Sequence, residues 1–141
     1  SYLTRMTGIL TSHGGTLDKY IGDAVMGFFG APRTLADHAK RACATALAMR
    51  EALPEFNSEI TSRGLEAVDF RVGIASGEVM VGNIGSYDRF NYTVLGDTVN
   101  LASRLEATSK EYGTHIIVAE PTYLAAKDDY IFRALDKVAV K

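Results

Sequence analysis

Residues 90–106, FNYTVLGDTVNLASRLE, constrain the fold most, because they place a short apolar strand, a Gly-Asp turn and an amphipathic helix in immediate succession. Asp97 in the turn is expected to be the helix N-cap, accepting hydrogen bonds from the free N–H groups of the first turn. Apolar residues then recur at helical spacing and predict the buried face: Val99, Ala102 and Leu105. The stretch therefore predicts a strand that leads directly into a helix packed against a sheet.

Asn100 and Arg104 lie four residues apart on another face of this predicted helix. Residues at that spacing stand one turn above the other, with about 5–6 Å between their Cβ atoms. An amide and a planar guanidinium in this arrangement can hold a sugar or ring oxygen and a phosphate at a fixed separation. Both residue types are also common on solvated helix surfaces, so the spacing alone leaves both interpretations open.

Two apolar-rich runs, residues 16–21 and 24–29, are joined by Gly22 and Asp23, a two-residue connection that predicts a tight β-hairpin. Asp23 is expected at the tip, with its carboxylate free of the sheet. Lys19 precedes it by four residues. Taken alone, the pair is typical of a turn aspartate and a strand-surface lysine, and a metal-binding role for Asp23 is the alternative.

The rest of the chain predicts further helices and strands. Helices are expected over residues 1–13, starting without a cap, over 37–63, kinked or split near Pro54, and over 121–127. Strands are expected over residues 68–75, 79–84, 116–119 and 130–140. Glycines 73, 77, 82 and 85 indicate places where the backbone passes close to another chain or a ligand. Helices alternating with strand pairs predict an α/β layered domain, with helices on one side of a sheet.

Length, charge and cysteine content restrict the class of protein. The chain has 141 residues, enough for one domain with a real core, and we expect a single domain over residues 1–141. With 15 basic and 17 acidic residues, it has no bulk charge to attract nucleic acid or an anionic membrane. Its single cysteine, Cys43, cannot form an internal disulfide, which is typical of the cytoplasm. No apolar run reaches the roughly 18 residues of a membrane helix, so membrane contact is not expected from this segment.

Three stretches in order resemble class III nucleotidyl cyclases, which convert a nucleoside triphosphate to its 3′,5′-cyclic monophosphate. Residues 90–106 are similar to the family signature, and residues 14–32, GGTLDKYIGDAVMGFFGAP, to its metal-binding hairpin. Residues 70–85, FRVGIASGEVMVGNIG, resemble its central strand pair. The resemblance implies a nucleotide cyclase fold, a ferredoxin-like βαβ core with extra strands, in a signalling protein whose sensor domain and membrane anchoring stay open.

The resemblance further implies a homodimer with composite active sites that bind ATP. Asp23 of one subunit would help to bind two Mg²⁺ or Mn²⁺ ions, while Lys19, Thr93, Asn100 and Arg104 come from the other subunit. Lys19 and Thr93 would read the adenine ring, Asn100 would orient the ribose and Arg104 would stabilise the transition state. ATP is favoured over GTP because lysine can donate to adenine N1, whereas guanine presents an N–H donor there.

The sequence departs from the family pattern at both ends of the domain. The family's first strand carries a motif of the form Phe-x-Asp-x-x-Gly-Phe-Thr that supplies another metal ligand, and no stretch of this sequence matches it. Family members also usually continue beyond the position of Lys141 into a last strand. We therefore expect the domain to be truncated at both ends and this chain alone to be inactive.

Other classes of function remain open at this point. The alternatives are a guanylate cyclase and a non-catalytic homologue that binds nucleotide or serves only in dimerisation. An RNA-binding ferredoxin-like domain would need exposed aromatic residues on a basic sheet, and the slightly acidic balance disfavours it.

Overall fold

The chain is a mixture of helices and short strands. The structure, a computed structural model, describes residues 1–31, 33–84 and 91–134, and of residues 83, 84 and 91–93 it describes the backbone only. The elements are α1 (Tyr2–Ser12), β1 (Thr16–Ile21), β2 (Ala24–Phe28), α2 (His38–Thr61), β3 (Val72–Ile74), β4 (Met80–Ile84), β5 (Asn91–Leu95), α3 (Asp97–Ser109), β6 (Ile116–Val118) and α4 (Glu120–Ala126).

The described strands pair two by two. β1 pairs with β2 and β4 pairs with β5, both antiparallel, whereas β3 pairs with β6 in parallel. A parallel pair needs a crossover between its strands. Here the crossover contains the β4–β5 pair and α3, and α3 packs against both β3 and β6. This arrangement is the βαβ unit that the sequence predicted, with extra strands inserted before the helix.

The main core lies between the two helices α2 and α4 and the β3–β6 pair. It contains small and aliphatic residues that permit close packing: Ala39, Cys43, Ala46, Ile74 and Ala126. Burial raises the pKa of the Cys43 thiol, so this group stays protonated inside the core. Cys43 is therefore a packing residue, as expected from its place among the alanines of α2.

A second buried region lies between α1 and the β1–β2 hairpin. Met6 and Leu10 of α1 are buried there, and the Leu10 side chain lies directly against the backbone of Gly15 and Gly27. Ser1 caps α1 by accepting a hydrogen bond from the Thr4 N–H at 3.3 Å, so the expectation of an uncapped start is wrong.

Helix α2 continues without a break through Pro54, which corrects the prediction of a split near that residue. Pro54 removes one backbone hydrogen bond, but the turns after it are held by α1. Phe56 is buried and packs against the Tyr2 ring, at 5.4 Å between centroids, while Arg5 pairs with Glu59 at 3.0 Å. These contacts keep the second half of α2 helical.

Two predicted strands are shorter than expected or not found. The strand predicted over residues 68–75 is reduced to β3, because the Asn57 side chain bonds both the N–H and the C=O of Val68, each at 2.8 Å. Residues 130–134 form no strand, although Tyr130 and Phe132 pack edge to face, and residues 135–140 lie outside the described part.

Candidate active site

Asp23 lies at the exposed tip of the β1–β2 hairpin, where the sequence placed it. The hairpin turns through Gly22 and Asp23, and Gly22 has φ +61°, as a two-residue turn with glycine at its first position requires. Burial, followed by the charge of Asp23, raises the pKa of Tyr2.

Lys19 follows a β-bulge in β1. The pairing runs from Leu17 opposite Gly27 to Lys19 opposite Met26, so Asp18 is an extra residue without a counterpart on β2. The Asp18 side chain is 0% exposed, whereas that of Lys19 is 49% exposed. The Lys19 Nζ lies 3.8 Å from Asp18 Oδ1, so the described ion pair of Lys19 is with its neighbour in sequence.

Strand β5, which contains Thr93, lies beside β1. The Val94 N–H donates a hydrogen bond to Asp18 Oδ2 at 3.3 Å. Because Thr93 directly precedes Val94 and Lys19 directly follows Asp18, the structure brings the backbones of both predicted adenine-reading residues to adjacent strands. The Thr93 side chain lies outside the described part.

Helix α3 begins one residue earlier than predicted. Its N-cap is Gly96, with φ +141°, and the first helical residue is Asp97. No side-chain hydrogen bond caps this helix in the part of the chain that the structure describes. The prediction of Asp97 as N-cap is therefore wrong, although a carboxylate in the first turn still stabilises the positive end of the helix dipole. Thr98 Oγ1 also donates to the Glu78 carbonyl at 3.3 Å, which attaches the start of α3 to the segment before β4.

The buried face of α3 packs on β3 at very short range. A Cβ at Gly73 would overlap the Ala102 carbonyl and lie 2.5 Å from the Glu106 N, and Leu105 is buried beside it. Asn100 and Arg104 are exposed on another face, as predicted. The backbone of the helix that presents this pair is thus held tightly against the sheet.

The four glycines expected at close approaches differ in how near other atoms lie to them. At Gly73 and Gly77 the close approach is to helix α3 of the same chain, since a Cβ at Gly77 would be 2.6 Å from Thr98 Oγ1. The predicted approach to another chain or a ligand stays a prediction. A Cβ at Gly82 meets no atom of the described residues within 4 Å, and Gly85 lies outside those residues.

Asp23 is suited to contribute one ligand to a hard divalent cation, since an exposed carboxylate is the type of donor that Mg²⁺ and Mn²⁺ prefer. Within residues 1–31, 33–84 and 91–134, no group of three or more His, Cys, Asp or Glu side chains is placed to hold a metal ion. The hairpin thus fits a metal through one carboxylate, and further ligands have to come from elsewhere.

Sequence reasoning did not single out Asp18, although the structure places it between Lys19 and β5. A bulge shifts the alternation of a strand by one residue, and the letters TLDKYI contain no sign of it. The only available signal was a carboxylate inside an otherwise apolar-rich strand.

Comparison with known proteins identifies the family. The protein-family model described as the adenylate and guanylate cyclase catalytic domain matches residues 1–141 of this chain. The chain belongs to this family. Catalytic domains of the adenylate and guanylate cyclase family are metal-dependent, and the predicted family and fold are both confirmed.

Individual relatives include both adenylate and guanylate cyclases. Adenylate cyclase 1 of Rhizobium meliloti is 38% identical over 99% of this chain, which spans 21% of the relative's length. The crystal structure of the adenylyl cyclase CyaB from P. aeruginosa is 36% identical, with a TM-score of 0.90 over 99% of this chain and 71% of that one. The guanylyl cyclase Cya2 is 42% identical, with a TM-score of 0.82 over 89% of this chain and 62% of that one.

The chain thus spans about a fifth of the length of the Rhizobium relative. In the part of the cyclase domain that the structure describes, the helices are too short or too polar to cross a membrane.

Proposed function

We propose that the protein containing this chain is an adenylate cyclase that converts ATP to 3′,5′-cyclic AMP and pyrophosphate. The observation that carries the proposal is the hydrogen bond from the Val94 N–H to Asp18 Oδ2, which joins the residue after Thr93 to the residue before Lys19. This contact brings the backbone of Lys19 near that of Thr93, which supports the proposal because lysine is suited to bind adenine N1. Relatives named adenylate cyclases over almost the whole chain support the same conclusion.

The reaction is intramolecular: the ribose 3′-oxygen attacks the α-phosphorus and pyrophosphate leaves. Asn100 would hold the ribose so that its 3′-oxygen faces the phosphorus, and Arg104 would bind the phosphoryl oxygens on which negative charge grows. Both side chains are exposed, and close packing of α3 on β3 fixes the backbone from which they project. Preorganised donors of this kind commonly contribute about 10²–10³ in rate.

Asp23 would be this chain's ligand to the divalent cations, proposed to be two Mg²⁺ or Mn²⁺ ions per site. When bound, such ions polarise the phosphate oxygens and favour loss of the 3′-hydroxyl proton. Asp23 stands at the tip of the hairpin that also contains Lys19, and its carboxylate is open to solvent.

The active unit is proposed to be a homodimer in which each site takes Asp23 from one subunit and Lys19, Thr93, Asn100 and Arg104 from the other. An exposed apolar pair supports an interface: Met80 is 70% exposed and Leu95 47% exposed, and they lie opposite each other on β4 and β5. A second copy covering this pair would remove apolar surface from water.

A guanylate cyclase is the second candidate, favoured by the 42% identity to the guanylyl cyclase Cya2. The preference of the unaltered protein for ATP or GTP separates the two, and the double substitution Lys19→Glu with Thr93→Cys in the protein at its full natural length tests whether these positions set that preference. We expect the preference for ATP over GTP, measured as the ratio of kcat/KM values, to fall or reverse, because glutamate accepts from the guanine N–H groups. An unchanged ratio would contradict the assignment of these two positions. Nucleotide binding without any cyclic product would instead favour the non-catalytic homologue.

A further inference from the structure

We propose that Asp18 is a positioning residue for base selection, in that its buried carboxylate fixes the strand of Lys19 to the strand of Thr93. This inference rests on the proposed function, because it assigns a role within the same nucleotide site. Asp18 acts through its neighbours and does not itself contact the base.

The β-bulge in β1 explains how the Asp18 side chain comes to lie between two strands. In a regular strand, successive side chains alternate between the two faces. The extra residue at position 18 interrupts this alternation, and bulges next to active sites commonly re-aim a side chain in this way. The result is a carboxylate with 0% exposure directly beside a lysine with 49% exposure.

Burial of a carboxylate is costly unless polar contacts replace water. Asp18 has contacts in two directions: Oδ2 accepts from the Val94 N–H at 3.3 Å, and Oδ1 lies 3.8 Å from the Lys19 Nζ. One side chain therefore contacts both the residue after Thr93 and the lysine that is proposed to read the base. The hydrogen bond from the Val94 N–H joins β5 to β1 at the residue next to Lys19, so this link can set the separation of the two strands.

The separation of β1 and β5 matters because discrimination between two purines depends on polar groups at fixed positions. A site built to hydrogen-bond one ligand rejects another by leaving polar groups unpaired, and this requires accurate placement. A displacement of 1 Å at a reacting group can cost about 10²-fold. Loss of the Asp18 link should therefore reduce discrimination between ATP and GTP more than it reduces nucleotide binding in general.

The test compares Asp18→Ala with Asp18→Asn in the protein at its full natural length. The readout is the ratio of dissociation constants for 3′-deoxy-GTP and 3′-deoxy-ATP, which lack the attacking hydroxyl, with kcat/KM ratios for GTP and ATP measured alongside. We expect Asp18→Ala to lower the preference for the adenine nucleotide about tenfold or more. Asp18→Asn should retain most of the preference, because its amide oxygen can accept from the Val94 N–H.

Tyr20→Phe is the matched control. It removes the hydrogen bond of 2.8 Å between the Tyr20 hydroxyl and Thr7 Oγ1, which joins β1 to α1 and not to β5. The adenine preference should stay unchanged in this variant. Each ratio comes from one preparation, so a partly unfolded variant does not imitate the effect. If Asp18→Ala gives no folded protein, Asp18→Ser replaces it, since its hydroxyl is too short to reach the Val94 N–H.

Equal weakening of both nucleotides by Asp18→Ala would overturn the inference, because it would indicate a merely structural role. The same loss of preference in the Ala and Asn variants would also overturn it, since the hydrogen bond to Val94 would then not matter. Failure of the proposed function looks different: the unaltered protein would bind 3′-deoxy-ATP yet form no cyclic AMP, and the binding ratios would still decide the role of Asp18.

Discussion

Helix α3 and the β1–β2 hairpin both present residues of the proposed site, but they are held in different ways. α3 is held by close packing, because Gly73 has no side chain and the backbone of α3 lies directly against β3 at this position. The hairpin is held by α1 underneath and by single polar contacts at its sides, from Asp18 to the Val94 N–H and from Tyr20 to Thr7. The residues proposed to carry the chemistry thus sit on a helix held by backbone packing, whereas Lys19 and Asp23 sit on a hairpin whose described contacts at its sides are polar.

The largest effect on activity is expected at Arg104, which lies with Asn100 on the exposed face of α3. Arg104→Ala should lower kcat by about 10²–10³, because a preorganised donor to the developing phosphoryl charge is lost. The measurement is cyclic AMP formation at saturating ATP. Arg63→Ala, which removes another exposed arginine beyond the end of α2, is the control and should leave kcat unchanged. Similar kcat values for both variants would contradict the role of Arg104.

The packing that holds α3 can be tested at Gly73. A methyl group there meets backbone atoms of Ala102 and Glu106, so the helix itself has to move. We expect Gly73→Ala to lower the free energy of unfolding by about 1–3 kcal/mol, measured by denaturant unfolding, and to reduce activity. Gly82→Ala is the matched control, because its methyl group meets no atom within 4 Å in the part of the chain that the structure describes. Equal stability of the two variants would show that close packing at Gly73 does not hold α3.

A smaller effect is expected at the tip of the hairpin. Gly22 has φ +61° with no atom within 4 Å of an added Cβ, so Gly22→Ala introduces backbone strain without a clash. The expected loss of unfolding free energy is about 1–2 kcal/mol. Gly8→Ala, inside α1 with equally open space, should instead gain roughly 0.5–1 kcal/mol. A gain of unfolding free energy in both variants would mean that the positive φ at Gly22 does not determine the stability of the hairpin.

The same contrast explains what could be predicted from the sequence. The hairpin turn, α3 and its exposed pair followed from local signals, namely a Gly-Asp connection and apolar residues at helical spacing. The family and fold followed from the three motifs and are confirmed. The roles of Lys19, Asp23, Thr93, Asn100 and Arg104 stay predictions.

Two of the errors arose where side chains from distant parts of the chain determine the backbone. Asn57 of α2 bonds both polar groups of Val68 and so replaces a strand pairing that the apolar pattern predicted. Contacts of Phe56 with α1 keep α2 helical beyond Pro54. The bulge at Asp18 depends on its pairing with β2, which no local pattern specifies.

The most direct test of the account is cyclic nucleotide formation by the protein at its full natural length, with ATP or GTP as substrate and Mn²⁺ as the cation. We predict cyclic AMP from ATP, little cyclic GMP from GTP, and loss of product in Asp23→Ala. Asp128→Ala, which removes another exposed turn aspartate, should retain activity. Cyclic GMP as the main product, or full activity without the Asp23 carboxylate, would contradict the account.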